Sequence, residues 1–456
     1  MRDPHASSFT IRAVLSDVHI PGPGFVHERE LVDMTKCLNA DAALRGGKAE
    51  LILAGDCFDF LPCPPCRYGP WREAIKKIDH IEKQCPAAMK ALARFVRDGN
   101  QITLLVGNHD AELVFKEVQE KLISVLADGN IEARARVVFQ DEALRGQRFC
   151  GLPRGPFVYL VDGCWVEHGN QLDPANFIDL SALEAARSSG SMRLPWGSHL
   201  VYDLVNRLEP EHRFLGRLGS HPAEILILFS LDPLRVIKEI PAFARLGPNL
   251  FSQARRYAWA MSSGEGAKGL TIVSVGPEAE ALALIGEHAD DLETLVEYAP
   301  LLNAHDLPGQ KGGASLPAFV AEARAATLRA ALERMTADGD SLTKDDGYAE
   351  RAFEIARGEG VHTVVFGHTH GARAIRRGKY QYINSGSWTN LLEIDHDVLR
   401  RRGPHAYDEM LEELRSGRAF KPRRRLTFAE ITYPRGERTA RLATFNDGSI
   451  QTAEVI

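Results

Sequence analysis

Ile11-Arg12-Ala13-Val14-Leu15-Ser16-Asp17-Val18-His19 decides how the rest of the chain is read. Residues 11–16 form a largely apolar, β-branched run of the kind that makes a buried strand. That strand ends directly in an acid and an imidazole. Two further apolar runs end in the same way, 51–54 before Gly55-Asp56-Cys57-Phe58-Asp59 and 102–106 before Gly107-Asn108-His109-Asp110. Between these two runs, residues 87–97 have helical periodicity and stop at Asp98-Gly99-Asn100. Helix between strands predicts an α/β fold, a layered mixture of helices and sheet. Later strands close in His168-Gly169-Asn170 and in Gly367-His368-Thr369-His370. In an open α/β sheet, strand ends are where ligand crevices form.

The remaining segments divide the chain. Residues 111–126 read as a helix, and short strands follow around 136–139, 147–150, 157–160 and 164–167. From 171 to 344 the pattern is mainly helical, with short apolar helices at 200–208, 223–229, 233–243 and 253–261. Longer amphipathic helices at 281–297 and 318–335 flank a flexible loop at 307–313. Strand signals return at 362–366, 373–376, 380–384, 426–433 and 439–445. The simplest parse is one catalytic domain, 1–170 plus 345–456, interrupted by a helical insertion or cap, 171–344.

Composition bounds the function. The 456 residues are 44% hydrophobic and 25% charged, which excludes disordered, fibrous and small disulfide-stapled classes. A formal charge of -6 gives no global pull toward nucleic acid, so an anionic ligand must be captured locally. There is no signal-peptide pattern and no apolar run long enough to span a membrane. With seven cysteines, an odd number, the expectation is a cytoplasmic protein with reduced thiols. Cys63 and Cys66 have the spacing of a zinc knuckle, with Cys57 and Cys85 nearby in sequence. No second close pair exists, so free thiols in a proline-stiffened loop are the preferred reading over a structural zinc.

The strand-end residues suit a metal site. Asp17 and His19 are two apart, as are His368 and His370, so in extended backbone each pair points one way. The glycines at 55, 107, 169 and 367 let the backbone turn sharply beside bound groups. Asp17, His19, Asp56, Asn108, His168, His368 and His370 supply seven nitrogen and oxygen donors. Seven exceeds one tetrahedral ion and suits two ions about 3.5–4 Å apart that share a carboxylate.

These motifs together resemble the calcineurin-like metallophosphoesterase superfamily, over roughly the first 170 and the last 110 residues. Asn384-Ser385-Gly386-Ser387-Trp388 resembles the family segment that follows the last motif. The resemblance implies a two-sheet β sandwich flanked by helices. It implies that Asp17, His19, Asp56 and His370 hold one ion and that Asp56, Asn108, His168 and His368 hold the other, with Asp56 bridging. Ligation by nitrogen and oxygen suits manganese, iron or zinc, with manganese favoured. The implied reaction is hydrolysis of a phosphodiester or pyrophosphate bond by a metal-bridging hydroxide. His109 is the candidate proton donor to the leaving group, since it adjoins Asn108 and is not counted as a ligand. By resemblance Asp59 orients it; Asp110 could do so instead, or could cap a helix beginning at Ala111.

Two departures narrow the substrate. Relatives that act on phosphoproteins place an arginine directly after the acid-orienting aspartate, where this chain has Phe60. Bacterial UDP-2,3-diacylglucosamine pyrophosphatases are similar in their compact motifs and helical insertion, yet carry arginine where this chain has His109. The insertion follows His168 and returns before His368, so it belongs beside the site mouth. It forms either a groove for an acyl or isoprenoid tail, with Arg207, Arg213 and Arg217 near the phosphate, or a second small core or dimer interface. The density of Leu, Ile and Phe between 225 and 251 favours the groove. Nine basic against four acidic residues at 400–425 read as a contact for anionic lipid or nucleotide, or as a solvated edge. The expected substrate is therefore a phosphorylated small molecule or lipid, with peripheral membrane contact. A nuclease or cyclic-nucleotide phosphodiesterase is the alternative enzyme, and a non-catalytic metal-binding scaffold the alternative of another class.

Overall fold

The structure is a computed structural model that describes residues 9–65, 70–140, 148–149, 152–153, 155–173, 175–218, 346–401, 405–423 and 425–453, with single positions at 224, 227, 228 and 231. The expected helices at 233–243, 253–261, 281–297 and 318–335, the loop at 307–313 and most of 223–229 lie outside the described residues, as does Cys66.

The apolar runs form strands at the core of a mixed α/β fold. Four strands of the first sheet, β1 (Phe9–Leu15), β2 (Lys48–Ala54), β3 (Gln101–Leu105) and β4 (Val137–Phe139), run parallel in the order β1-β2-β3-β4, with β4 at the edge. β5 (Arg148–Phe149) and β6 (Leu152–Pro153) pair antiparallel as a separate two-stranded sheet. The second sheet takes β7 (Val158–Val161), β8 (Cys164–Glu167), β9 (Thr363–Phe366), β10 (Arg373–Arg377) and β11 (Tyr380–Asn384) in the order β10-β11-β9-β8-β7. A small pair, β12 (Leu391–Ile394) and β13 (Phe420–Arg423), follows. The last strands, β14 (Thr427–Thr432), β15 (Thr439–Asn446) and β16 (Ser449–Thr452), return to the free edge of β1 and complete a seven-stranded sheet. Both sheets are built from chain before residue 170 and after residue 345, since β1 pairs with β14 and β8 with β9.

Alternation along the strands sets the layers. Val14, Ile52, Leu105, Ala429 and Ile431 from the first sheet meet Val161, Cys164, Val166, Val365 and Ile383 from the second in one buried cluster. The sheets therefore stack face to face. The alternate positions Ile11, Ala13, Leu15, Leu51 and Leu53 join a larger core with the helices Glu28–Leu44 and Pro86–Arg97. Phe366 and Tyr382, on the outer side of the second sheet, join that core with Ala349, Ala352, Phe353 and Ala356 of the helix Asp346–Glu359.

Local readings differ in places. The helix expected at 111–126 is a 3-10 turn, Ala111–Val114, and then a helix, Lys116–Ala127, because Phe115 between them is extended. The segment at 200–208 continues the helix Trp196–Leu200 through a π-helical turn at Val201–Val205. The chain around that turn is anchored to the core. Buried Lys77 donates to Glu112 (2.7 Å) and also to Tyr202 of that turn. No helix among the described residues is long and apolar enough to cross a membrane.

Candidate metal centre

Strand direction brings the chemistry together. Asp17, Asp56 and Asn108 follow the carboxyl ends of the parallel β1, β2 and β3, while His168 and His368 follow the parallel β8 and β9. The stacked sheets place these ends side by side. Asp17, His19 and His370 form one group whose donor atoms all lie within 4.8 Å of one another, and Asp56, His168 and His368 form another. His19, Asp59 and His109 form a third, which shares His19 with the first.

The backbone at these positions corrects the extended reading. Asp17, His19, Asp56, His368 and His370 all have φ between 52° and 68°, in the left-handed region. The paired side chains converge because the chain turns tightly after each strand. Non-glycine residues are uncommon there, although Asp and His tolerate it better than most. Among the described residues eight non-glycine positions have positive φ, and five of them belong to this cluster. Strain concentrated in this way marks sites that the surrounding structure holds in place for a purpose. Gly55 (φ 82°) is needed for close approach, since a Cβ there would lie 2.7 Å from the Cβ of His168.

Each side chain spends one polar atom on the protein and keeps another. Asp17 Oδ2 accepts the His368 backbone N–H (2.8 Å) and the Ser16 hydroxyl, while buried Oδ1 has no hydrogen-bond partner. His168 donates through Nδ1 to the Ala54 carbonyl (3.1 Å), leaving buried Nε2 facing Asp56 without a hydrogen bond. His19 donates through Nδ1 to Asp59 Oδ2 (3.1 Å), again leaving Nε2 orphaned. Asp56 Oδ1 accepts the His109 backbone N–H (2.8 Å), and its Oδ2 lies 3.1 Å from His168 Nε2. Asn108 Oδ1 is also buried and unsatisfied. Buried polar atoms without partners are costly, yet here several face one another. Buried lone pairs that converge in this way suit a metal ion, so the residues present fit one.

The electrostatics point the same way. Burial would raise Asp17, but facing His370 and His168 hold it well below the ordinary carboxylate range. Asp56 is lowered as well, by His168 and His109 against its burial. Among the described residues the ion-pair partners of these two acids are histidines. Burial would lower His168, yet Asp56 and Asp17 raise it to about 9. A site with this much fixed negative charge takes up positive charge, as protons or as metal ions.

His109 sits at the rim, with its side chain 21% exposed. Its Nδ1 donates to Asp59 Oδ1 (2.9 Å), so Asp59 holds both His109 and His19. Burial would lower His109, but Asp59 and Asp56 outweigh it and raise it to about 9. Asp110 neither orients His109 nor caps the following helix. It accepts the backbone N–H groups of Gly107 (2.7 Å) and Cys57 (3.1 Å), tying two of the turns together. Asn384 donates to the Gly367 carbonyl (3.1 Å) and to Thr369 (2.9 Å), and Ser387 and the Trp388 N–H donate to the Asp17 carbonyl. The segment after β11 thereby braces two turns of the cluster.

Several expectations fall elsewhere. Arg217 donates to the Asn390 carbonyl (3.3 and 3.2 Å), Arg207 reaches the Asp203 carbonyl one turn before it, and Arg213 is exposed. Among the described residues no cysteine joins a group able to hold a metal; Cys57 and Cys63 donate to backbone carbonyls. Among the described residues of 400–425, Arg400, Arg401, Arg415, Arg418, Lys421 and Arg423 are ion-paired, such as Lys421 with Asp395 (2.7 Å), which favours the solvated-edge reading. Two residues escaped the sequence reading. Asp173 Oδ2 accepts from His368 Nε2 (3.1 Å), and Asn176 Oδ1 accepts from Asn108 Nδ2 (3.2 Å). The signal was the Asp173-Pro174-Ala175-Asn176 turn directly after His168. Comparison of the chain with family models and with curated proteins gave no match to either.

Proposed function

We propose that this chain is a dinuclear metal-dependent phosphoesterase of the calcineurin-like metallophosphoesterase superfamily. The observation that carries the reading is the set of orphaned donor atoms, Asp17 Oδ1, His19 Nε2, Asn108 Oδ1 and His168 Nε2, buried at converging strand ends. Asp17, His19, Asp56 and His370 are the residues to hold one cation, and Asp56, Asn108, His168 and His368 the other. Their nitrogen and oxygen donors suit manganese, iron or zinc. Two divalent cations bound there supply positive charge for phosphate oxygens and acidify a water for attack on phosphorus.

The chain's own residues do the rest. Asp59 fixes the ring of His109 through Nδ1, which leaves Nε2–H at the rim to protonate the leaving oxygen. Asp59, on Nδ1, favours the protonated ring against its burial. Phe60, buried beside Asp59, leaves no guanidinium at the position where phosphoprotein phosphatases have one. The substrate class proposed is a phosphodiester or pyrophosphate, lipid- or nucleotide-linked. The test is hydrolysis of bis-p-nitrophenyl phosphate by chelator-stripped and manganese-reloaded protein, followed by a panel of nucleotide-sugar lipids, dinucleotides and single-stranded DNA. Activity restored by metal, with preference for the lipid or dinucleotide, is the expected result. Protein that binds metal and hydrolyses nothing is a scaffold, and preference for DNA makes it a nuclease.

A further inference from the structure

At the start of the insertion, the side chains that hold Asn108 and His368 form a chain with a fixed direction. Asp173 has two oxygens and three donors. Oδ1 accepts the Ala175 N–H (2.8 Å), and Oδ2 accepts Asn176 Nδ2 (2.6 Å) and His368 Nε2 (3.1 Å). A carboxylate only accepts, so Asn176 must turn its NH2 toward Asp173. Its Oδ1 then faces Asn108, which must donate its own NH2 (3.2 Å). Asn108 is left with Oδ1 turned away from the chain, and that atom is buried and unsatisfied. On the other arm, His368 spends Nε2–H on Asp173 and is left with Nδ1. Gly197, at the start of the helix Trp196–Leu200, packs so closely on Asn176 Oδ1 that a Cβ would collide with it. Ser198 closes the same corner by donating to the Asn108 carbonyl (3.3 Å).

We infer that Asp173 and Asn176 are positioning residues that set the polarity of two ligands of one cation. The relay makes Asn108 present oxygen instead of NH2, and His368 present the bare Nδ1. The inference rests on the two-cation reading and adds a role for the insertion, whose first residues build part of the metal site. Asparagine cannot replace Asp173, because one end of the amide would set N–H against N–H, either at Ala175 or at Asn176 and His368. Without the acceptor, the Asn176 and Asn108 amides are free to reverse, and Asn108 then offers a cation two hydrogens.

The experiment is manganese binding to the full chain, followed by calorimetry and by electron paramagnetic resonance, which separates paired from isolated manganese. Wild type is expected to bind two ions and give the paired signal. Asp173→Ala and Asp173→Asn are expected to keep one ion and to bind the second about 10–100-fold more weakly, with an isolated signal. Asn176→Ala should fall in the same direction, and Asp173→Ala/Asn176→Ala should be no worse than Asp173→Ala, since the two act in series. Asn176→Ala carries the test if the Asp173 variants do not fold. Wild type with two ions and variants with unchanged second affinity overturns the relay alone. Wild type that binds one ion or none overturns the two-cation reading itself, and the relay with it.

Discussion

Replacing His109 separates proton donation from metal binding. The His109 backbone N–H holds Asp56 (2.8 Å), and no side-chain substitution removes it. The side chain contributes its bond to Asp59 (2.9 Å) and an edge-on contact with the His19 ring, whose centroid lies 4.6 Å away. His109→Ala and His109→Gln should therefore still load both ions. What is lost is a donor that Asp59 fixes through Nδ1, leaving Nε2–H for the leaving oxygen. Removing a positioned acid of this kind costs roughly 10²–10⁴ in turnover, or about 3–5 kcal/mol of barrier. The assay is kcat/KM across phosphodiesters with leaving groups of increasing basicity, at matched metal content. The variants should approach wild type for p-nitrophenolate, which leaves without a proton, and fall furthest for alkoxides. An equal loss across the series, or no loss for alkoxides, refutes the assignment.

Two further predictions concern the cradle. Below about pH 9 the His168 ring is protonated in the metal-free protein, and that proton must leave before Nε2 can hold a cation. Apparent manganese affinity should therefore strengthen with rising pH, by up to roughly tenfold per unit for each proton released, and flatten above about 9; calorimetry across pH that finds no slope contradicts this. Gly55→Ala puts a methyl 2.7 Å from His168 Cβ at φ 82°, whereas Gly46→Ala meets open space at φ 73°. Thermal unfolding should show a loss of about 2–4 kcal/mol for the first and about 1 kcal/mol for the second, with metal binding lost only in the first.

The strands were readable because they are buried on both faces. Runs such as 51–54 carry apolar side chains at successive positions, and the expected strand sits within Lys48–Ala54. The helix Glu28–Leu44 was not read, because it opens on Glu28, Arg29 and Glu30 and buries only a narrow stripe of Leu31, Met34, Thr35, Leu38 and Ala42. Which residues gather at the site was legible from strand ends, but how they gather was not. A spacing of two implies a shared face only in extended backbone, whereas Asp17 and His19 sit in left-handed turns whose backbone N–H groups donate to the Gly55 and Asp56 carbonyls. Asp59 illustrates the same limit. Its sequence position suggested one histidine partner, and the fold gives it two, one on each oxygen. Asp173 and Asn176 act across 195 and 68 residues of chain, on His368 and Asn108, and no local pattern encodes such pairs.

The central claim is that two cations act together on a phosphoester, and a manganese titration of stripped protein with continuous bis-p-nitrophenyl phosphate hydrolysis tests it most directly. The account predicts little activity through the first equivalent, a rise that tracks the second, and Asn108→Ala held near the one-ion level. Full activity at one equivalent, or none at two bound equivalents, contradicts it.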